Sequence, residues 1–286
     1  MLKTAHRWCW ILLAVLLLAA CSGTRLTYTF LDRLIRWKVD EYVSLYTPQS
    51  TALNTRLRAF HDWHRREQLP VYVDFISQQM QVLERPAVSP QDFSAALDRA
   101  MQLWRDSLEQ LLPAILTTLS TLDEDQMADV MARINKEEQK YREEHILDSV
   151  ENRRAYRKKR MLERMHTWLG SVNAPQQQRI EQWLDELDYA TDLRLRQGEM
   201  MRERLTGVLA LRERPEAFQR AALPLLLHPE QLWTPAYRQY VAANRQATLR
   251  LLADMHGLLE APQRQHLLNE LDDYRTQFRK MKVNPQ

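Results

Sequence analysis

The sequence predicts an all-α protein, an elongated helical bundle with a long antiparallel helical hairpin. Three observations lead there. Glycine is scarce, at five of 286 residues. Val and Ile are few beside Leu, Ala, Gln, Glu and Arg, and alternating β-branched runs closed by Asn-Gly or Asp-Gly are missing. Helix punctuation, by contrast, recurs along the chain: a capping residue, then proline, then glutamine or an acid.

Leu31, Leu34, Ile35, Val39, Tyr42 and Tyr46 fall three or four residues apart and predict a first amphipathic helix ending at Tyr46-Thr47-Pro48-Gln49. Thr47 is the expected N-cap of the next helix, with Pro48 at its first position, where the missing N–H costs nothing. That second helix carries Leu53, Leu57, Phe60 and Trp63, and is expected to break or kink at Leu69-Pro70. A third segment runs from Val71 to Leu83. Ser89 caps a fourth, striped by Leu97, Met101, Trp104, Leu108 and Leu111, with a short apolar turn or helix after Pro113.

Asp123 and Gln126 form a variant capping box. From there to Leu169 neither Gly nor Pro occurs, which predicts one helix of about 45 residues, roughly 70 Å long. Gly170 is a natural stop. Asn173-Ala174-Pro175-Gln176 restarts the chain, and Ile180, Trp183, Leu184, Leu187, Leu195, Met201, Leu205 and Val208 trace a second long helix, so the two make the hairpin. Helices beginning near Pro215, Pro235 and Pro262 complete the chain. The starts Asn173-Ala174-Pro175-Gln176 and Glu260-Ala261-Pro262-Gln263 echo each other, with looser versions at Thr47-Pro48-Gln49, Ser89-Pro90-Gln91 and Asp123–Gln126. A good helix start used repeatedly explains the echo; so does internal duplication.

The amino-terminal stretch from Met1 to Arg25 carries an address. Lys3 and Arg7 precede an apolar run from Trp8 to Leu18. About eleven residues are too few to span a bilayer, which takes roughly 20, but suit the core of a signal peptide. Leu18-Ala19-Ala20-Cys21 resembles the lipobox of bacterial lipoproteins. The resemblance implies cleavage before Cys21, a diacylglycerol on its thiol, and an acyl chain such as palmitate on the new amino terminus. Ser22 in place of Asp implies the outer membrane, facing the periplasm. The expected organisation is therefore a leader over 1–20, a membrane tether over 21–29 and one helical periplasmic domain over 30–286.

Cleavage would leave Cys21 to Gln286 as the mature chain, with no thiol beyond the lipidated one. Losing Lys3 and Arg7 lowers the formal net charge from +3 to +1. A nearly neutral exported chain gives no reason to expect nucleic acid as a partner.

Two further resemblances bear on function. Residues 28–49, 63–75, 111–146 and 153–170 resemble an uncharacterised family of proteobacterial lipoproteins, a domain-of-unknown-function family, over most of the chain to about residue 212. This implies fold and address and supplies no catalytic residues. TLDEDQ (121–126), VNAPQQQR (172–179) and LEAPQRQ (259–265) are similar to the L-T-x-x-Q repeat of periplasmic envelope-stress chaperones, although none keeps the Leu-Thr pair. Those are helical hairpins with a concave charged and apolar surface, which implies a chaperone-like role.

Few residues suggest chemistry. His61, His64 and Glu67 share a helical face at spacings that suit a divalent metal, but Arg65 and Arg66 would repel the ion. Glu163-x-x-His166 is half of a di-iron motif whose second half is missing. No Gly-x-Ser-x-Gly elbow or Gly-rich phosphate loop occurs. Neither a metal nor another cofactor is expected. Trp37, Trp63, Trp104, Trp168, Trp183 and Trp233 sit at helical spacing with Leu or Met and are expected in the core. Between Lys136 and Arg160, charged residues outnumber all others. A helix that polar reads as a solvated arm, or as a partner- or phosphate-binding face built on Arg153, Arg154, Arg157 and Arg160. The expectation is an interaction or chaperone-like envelope protein, not an enzyme, with an envelope protein or anionic lipid as partner. The alternative is an enzyme acting on cell-wall material, for which no catalytic residue can be named.

Overall fold

The computed structural model describes Tyr28, residues 31–145 and residues 149–283. The expected leader, Cys21 and all of the tether except Tyr28 lie outside the described residues. All regular structure within them is helical, as the composition predicts. The elements are α1 (Leu31–Asp40), α2 (Thr47–Trp63), a π-turn (His64–Gln68), α3 (Leu69–Leu83), α4 (Pro90–Ser120) and α5 (Glu124–His145). Then come α6 (Val150–Leu169), α7 (Ala174–Glu186), α8 (Thr191–Leu209), α9 (Pro215–Leu227), a 3-10 turn (Pro229–Leu232), α10 (Pro235–Gly257) and α11 (Ala261–Val283). No helix in the described residues is long and apolar enough to cross a membrane.

Several boundaries differ from the sequence expectation, each for a local reason. Helix α1 stops at Asp40 rather than Tyr46. The chain turns there, with Tyr42 N–H bonded to the Val39 carbonyl, and so buries Val43 beside Leu122 and Met127. The N-cap of α2 is accordingly Tyr46, whose N–H donates to Gln49 Oε1 at 2.9 Å. Pro70 does not break its helix. Proline lacks the N–H and crowds the carbonyl four residues back, and the preceding π-turn, with Leu69 N–H bonded to the His64 carbonyl, absorbs the misfit. Pro113 likewise lies inside a continuous α4, on its exposed side, where water can serve the freed carbonyl.

The two long helices are both interrupted. Ser149 is extended and its hydroxyl accepts from Asn152 N–H at 3.0 Å, so it caps a new helix, α6. The second interruption follows Glu186. Leu187 leaves the helix in an extended conformation and buries its side chain. Asn244 of α10 then takes over the backbone of Asp188: Asp188 N–H donates to its Oδ1 (2.8 Å) and its Nδ2 donates to the Asp188 carbonyl (3.1 Å). The hairpin is therefore the shorter pair α6–α7. It closes at Gly170, which ends α6 with φ of 75°, a left-handed conformation that favours glycine.

The three largest apolar cores among the described residues hold most of the helices. In the first, Met161, Met165 and Leu169 of α6 meet Ile180, Trp183 and Leu184 of α7 and Ala247, Leu251 and Met255 of α10. Ile180, Leu184 and Leu251 are completely buried, each contributing about 1.5–3 kcal/mol. The second is built mainly from α3 and α11, an antiparallel pair. Leu69, Tyr72, Val73 and Ile76 line one side, and Tyr274, Phe278 and Met281 line the other. Trp168 packs against both cores. In the third, α5, α8 and α9 enclose Met127, Val130, Leu209, Phe218 and Ala222.

Glutamines lock the helix starts together. Asn173 N–H donates to Gln176 Oε1 (3.0 Å), and Glu260 N–H donates to Gln263 Oε1 (3.0 Å). Gln176 Nε2 donates to the Leu258 carbonyl (3.1 Å) and to Gln263 Oε1 (2.8 Å). Gln263 Nε2 answers with the Ser171 carbonyl (3.1 Å) and Gln176 Oε1 (3.0 Å). Each amide thereby uses two donors and two acceptor positions, its full capacity. Gln49 and Gln126 repeat the pattern. Their Oε1 atoms accept from Tyr46 and Asp123 N–H, their Nε2 atoms donate to the Thr121 and Ser44 carbonyls, and the two amides bond each other at 2.9 Å. Four of the five echoed starts thus form one clamp used twice; the fifth does not, since Ser89 is capped by Asp92 and Gln91 is exposed.

Candidate functional site

The basic segment lies in the first half of α6, and its neighbour is α7, running antiparallel from Gly170. That direction sets Arg154 and Lys158, one turn apart, against Glu181 and Asp185, also one turn apart. Arg154 forks, with Nη1 donating to Asp185 Oδ1 at 2.7 Å and Nη2 to Glu181 Oε2 at 3.0 Å. Lys158 bonds the other Glu181 oxygen. The Lys158 hydrogen bond, aided by Arg154, holds the Glu181 carboxyl below its ordinary range.

The remaining arginines also have neighbours within the protein. Arg153 is buried and donates to Thr191 Oγ1 at the start of α8. Arg157 lies over the Tyr189 ring, 4.7 Å from its centroid. Arg160 donates to Glu163 at 2.8 Å. The structure thus places all four predicted residues on one helix and turns Arg153, Arg154 and Arg157 toward the α7–α8 region. The segment is not a solvated arm. Glu138 of α5, in the same charged run, is buried too, 3.7 Å from Arg202 of α8. What α6 turns outward is its other face, with Asn152, Tyr156 and Lys159 exposed and Val150 at its tip.

His61, His64 and Glu67 are not brought together for a metal. Among the described residues, no group of three or more His, Cys, Asp or Glu is placed to hold one. His64 instead sits in a buried hydrogen-bonded chain at the π-turn. Ser107 donates to the Leu103 carbonyl (3.1 Å), so its oxygen accepts from the Tyr72 hydroxyl (2.9 Å). Tyr72 oxygen then accepts from His64 Nε2–H (3.3 Å), and His64 Nδ1 accepts from the Tyr28 hydroxyl (2.9 Å). The chain of partners assigns the neutral Nε2–H tautomer. Burial agrees: it lowers the His64 pKa to about 3, with His61 adding to the shift, and raises that of Tyr72 to about 12.

Tyr28 falls within the expected tether, yet its side chain is buried in the second core. In the sequence it lies three residues before Leu31, in phase with the helical stripe that begins there. Glu163 and His166 are exposed on α6, and Glu163 is engaged by Arg160. Cys21 lies outside the described residues. Of the six tryptophans expected inside, Trp183 is buried and four are partly buried, but Trp37 is 61% exposed. It projects from α1 opposite Ile35 and Val39, which face Leu53 and Leu57 of α2.

A protein-family model described as a family of unknown function, DUF6279, matches residues 41–238. The match takes in the π-turn, the Gln49–Gln126 clamp and the basic segment, and it ends before Gln263. No curated protein and no solved structure matches the chain.

Proposed function

The chain belongs to DUF6279, a family of unknown function, and we propose that this member is an interaction protein of the cell envelope. In this reading Cys21 carries the lipid, the helical domain faces the periplasm from the outer membrane, and the work is binding, in the manner of an adaptor or chaperone. The address rests on Lys3, Arg7, the apolar run and Leu18-Ala19-Ala20-Cys21. Two or more acyl chains on one residue suffice for stable anchoring.

One observation carries the binding role. Helix α6 spends Arg153, Arg154 and Arg157 inward and presents Tyr156, half exposed, beside Lys159 on a helix held on two sides. An exposed tyrosine on a rigid helix is the kind of residue that anchors protein interfaces. It offers a large apolar body with a polar tip and loses little conformational entropy on binding. The arginines contribute indirectly, by fixing the helix that presents this face.

The test is photocrosslinking in intact cells from a photoreactive phenylalanine at position 156. The expected result is a discrete adduct with an envelope protein. Adduct-free protein from position 156, and equally from positions 152 and 159, would contradict the proposal.

A further inference from the structure

We propose that the outward face of α1, centred on Trp37 with Arg33 one turn earlier, rests on the lipid headgroup layer to which Cys21 ties the chain. This rests on reading Cys21 as the lipid anchor. Tyr28 lies seven residue steps after Cys21. At the covalent limit of about 3.6 Å per residue they span at most roughly 25 Å. Tyr28 is fixed in the core, with its side chain buried and its hydroxyl held by His64. Helix α1 starts three residues later and lies antiparallel on α2, as the 3.8 Å approach of Asp32 to His61 records. The start of α1, like the α2–α3 junction that holds Tyr28, is therefore kept within a short reach of the membrane.

The chemistry of its outer face fits that surface. Trp37 is the most exposed of the large apolar side chains described, at 61%. Indole rings are enriched where hydrocarbon meets headgroups, because one part of the ring is apolar and the N–H seeks a polar partner. Arg33 is exposed on the same face, four residues away, and guanidinium suits lipid phosphate. The acids three and four residues past Trp37 are both paired, Asp40 with Arg36 through contacts of 2.6 and 3.1 Å and Glu41 with Lys38. One tryptophan and one arginine bind a bilayer weakly on their own. The anchor keeps their local concentration at the surface high, so a weak contact is enough to orient the domain.

The test uses the protein extracted from membranes and returned to vesicles of phosphatidylethanolamine and phosphatidylglycerol brominated near the headgroup. Wild type should show a bromine-quenched tryptophan component that Trp37→Phe loses, while both keep the same circular dichroism. Arg33→Glu should reduce the quenching. Palmitate labelling of Cys21 is read on the same preparations. Labelled protein with equal quenching in wild type and Trp37→Phe overturns this inference and leaves the anchor standing. Unlabelled protein that fails to float with the vesicles overturns the anchor, and this inference with it. A crosslink from position 37 to a protein rather than to lipid also overturns it.

Discussion

Gln176 and Gln263 bond each other through both side-chain amides, at 2.8 and 3.0 Å, with at most 2% of either residue exposed. They join the α6–α7 loop to the α10–α11 loop, far apart in the sequence. Replacing Gln176 with Leu strands the Asn173 N–H, the Leu258 carbonyl and half of the Gln263 amide. Each buried polar group left unpaired costs about 1–3 kcal/mol. Urea titration of Gln176→Leu should therefore show a loss of at least about 2 kcal/mol. The double variant Gln176→Leu/Gln263→Leu should lose less than the sum of the two single changes.

The same substitution at Gln49 tests whether the two clamps are equivalent. The bonding pattern is the same, but Gln49 is only partly buried, so water can replace its lost partners. Gln49→Leu should cost about half as much as Gln176→Leu or less, on the same urea titration.

His64 predicts an acid-sensitive fold. Its folded pKa, about 3, lies below its ordinary value of 6.5. Between those values the unfolded chain binds a proton that the folded chain does not, so stability falls as pH falls. The slope approaches about 1.4 kcal/mol per pH unit. The buried His61, lowered by burial and by Arg65, acts in the same direction. His64→Gln keeps polar contacts for Tyr28 and Tyr72 without titrating. Thermal melts from pH 7 to pH 4 should show a flatter dependence in that variant.

The arginines of α6 should separate sharply under charge reversal. Arg153→Glu buries a carboxylate where a guanidinium met Thr191, and should cost several kcal/mol. Arg160→Glu breaks one partly exposed pair with Glu163 and should change stability by less than about 1 kcal/mol. Denaturant melts of the two variants would nearly coincide if the segment were a solvated arm.

The residues that carried the fold in the sequence were those acting locally. Proline after a cap, glutamine three residues past it and a Gly170 stop specify helix ends through bonds made within a few residues. The starts near Pro90, Pro175, Pro215, Pro235 and Pro262 were legible for that reason. The interruptions at Ser149 and Leu187 were not. The second depends on Asn244, distant in the sequence, taking both backbone groups of Asp188. The basic segment was legible as a feature, but its direction was not. The acids that receive Arg154 and Lys158 become neighbours only when the chain reverses at Gly170. Trp37 was misplaced inside because spacing alone does not say which side of α1 meets α2. Tyr28 is in phase with the stripe that starts at Leu31, but its bond to His64 is a tertiary contact that spacing does not show. Ser107 gave no signal, since it is an ordinary helix serine until Tyr72 reaches it.

Gly170→Ala checks the reversal itself. The positive φ disfavours any side chain, and an added Cβ would sit 3.4 Å from the His266 ring. The expected loss is about 1 kcal/mol, read by urea titration.

The proposed role depends on where this helical protein is held, and intact-mass spectrometry of the membrane-extracted chain tests that directly. The expected species begins at Cys21 and carries the added mass of a diacylglycerol and an acyl chain, with Cys21→Ser losing both the lipid and membrane retention. A chain that keeps Met1 to Ala20, or begins elsewhere without lipid, would contradict it.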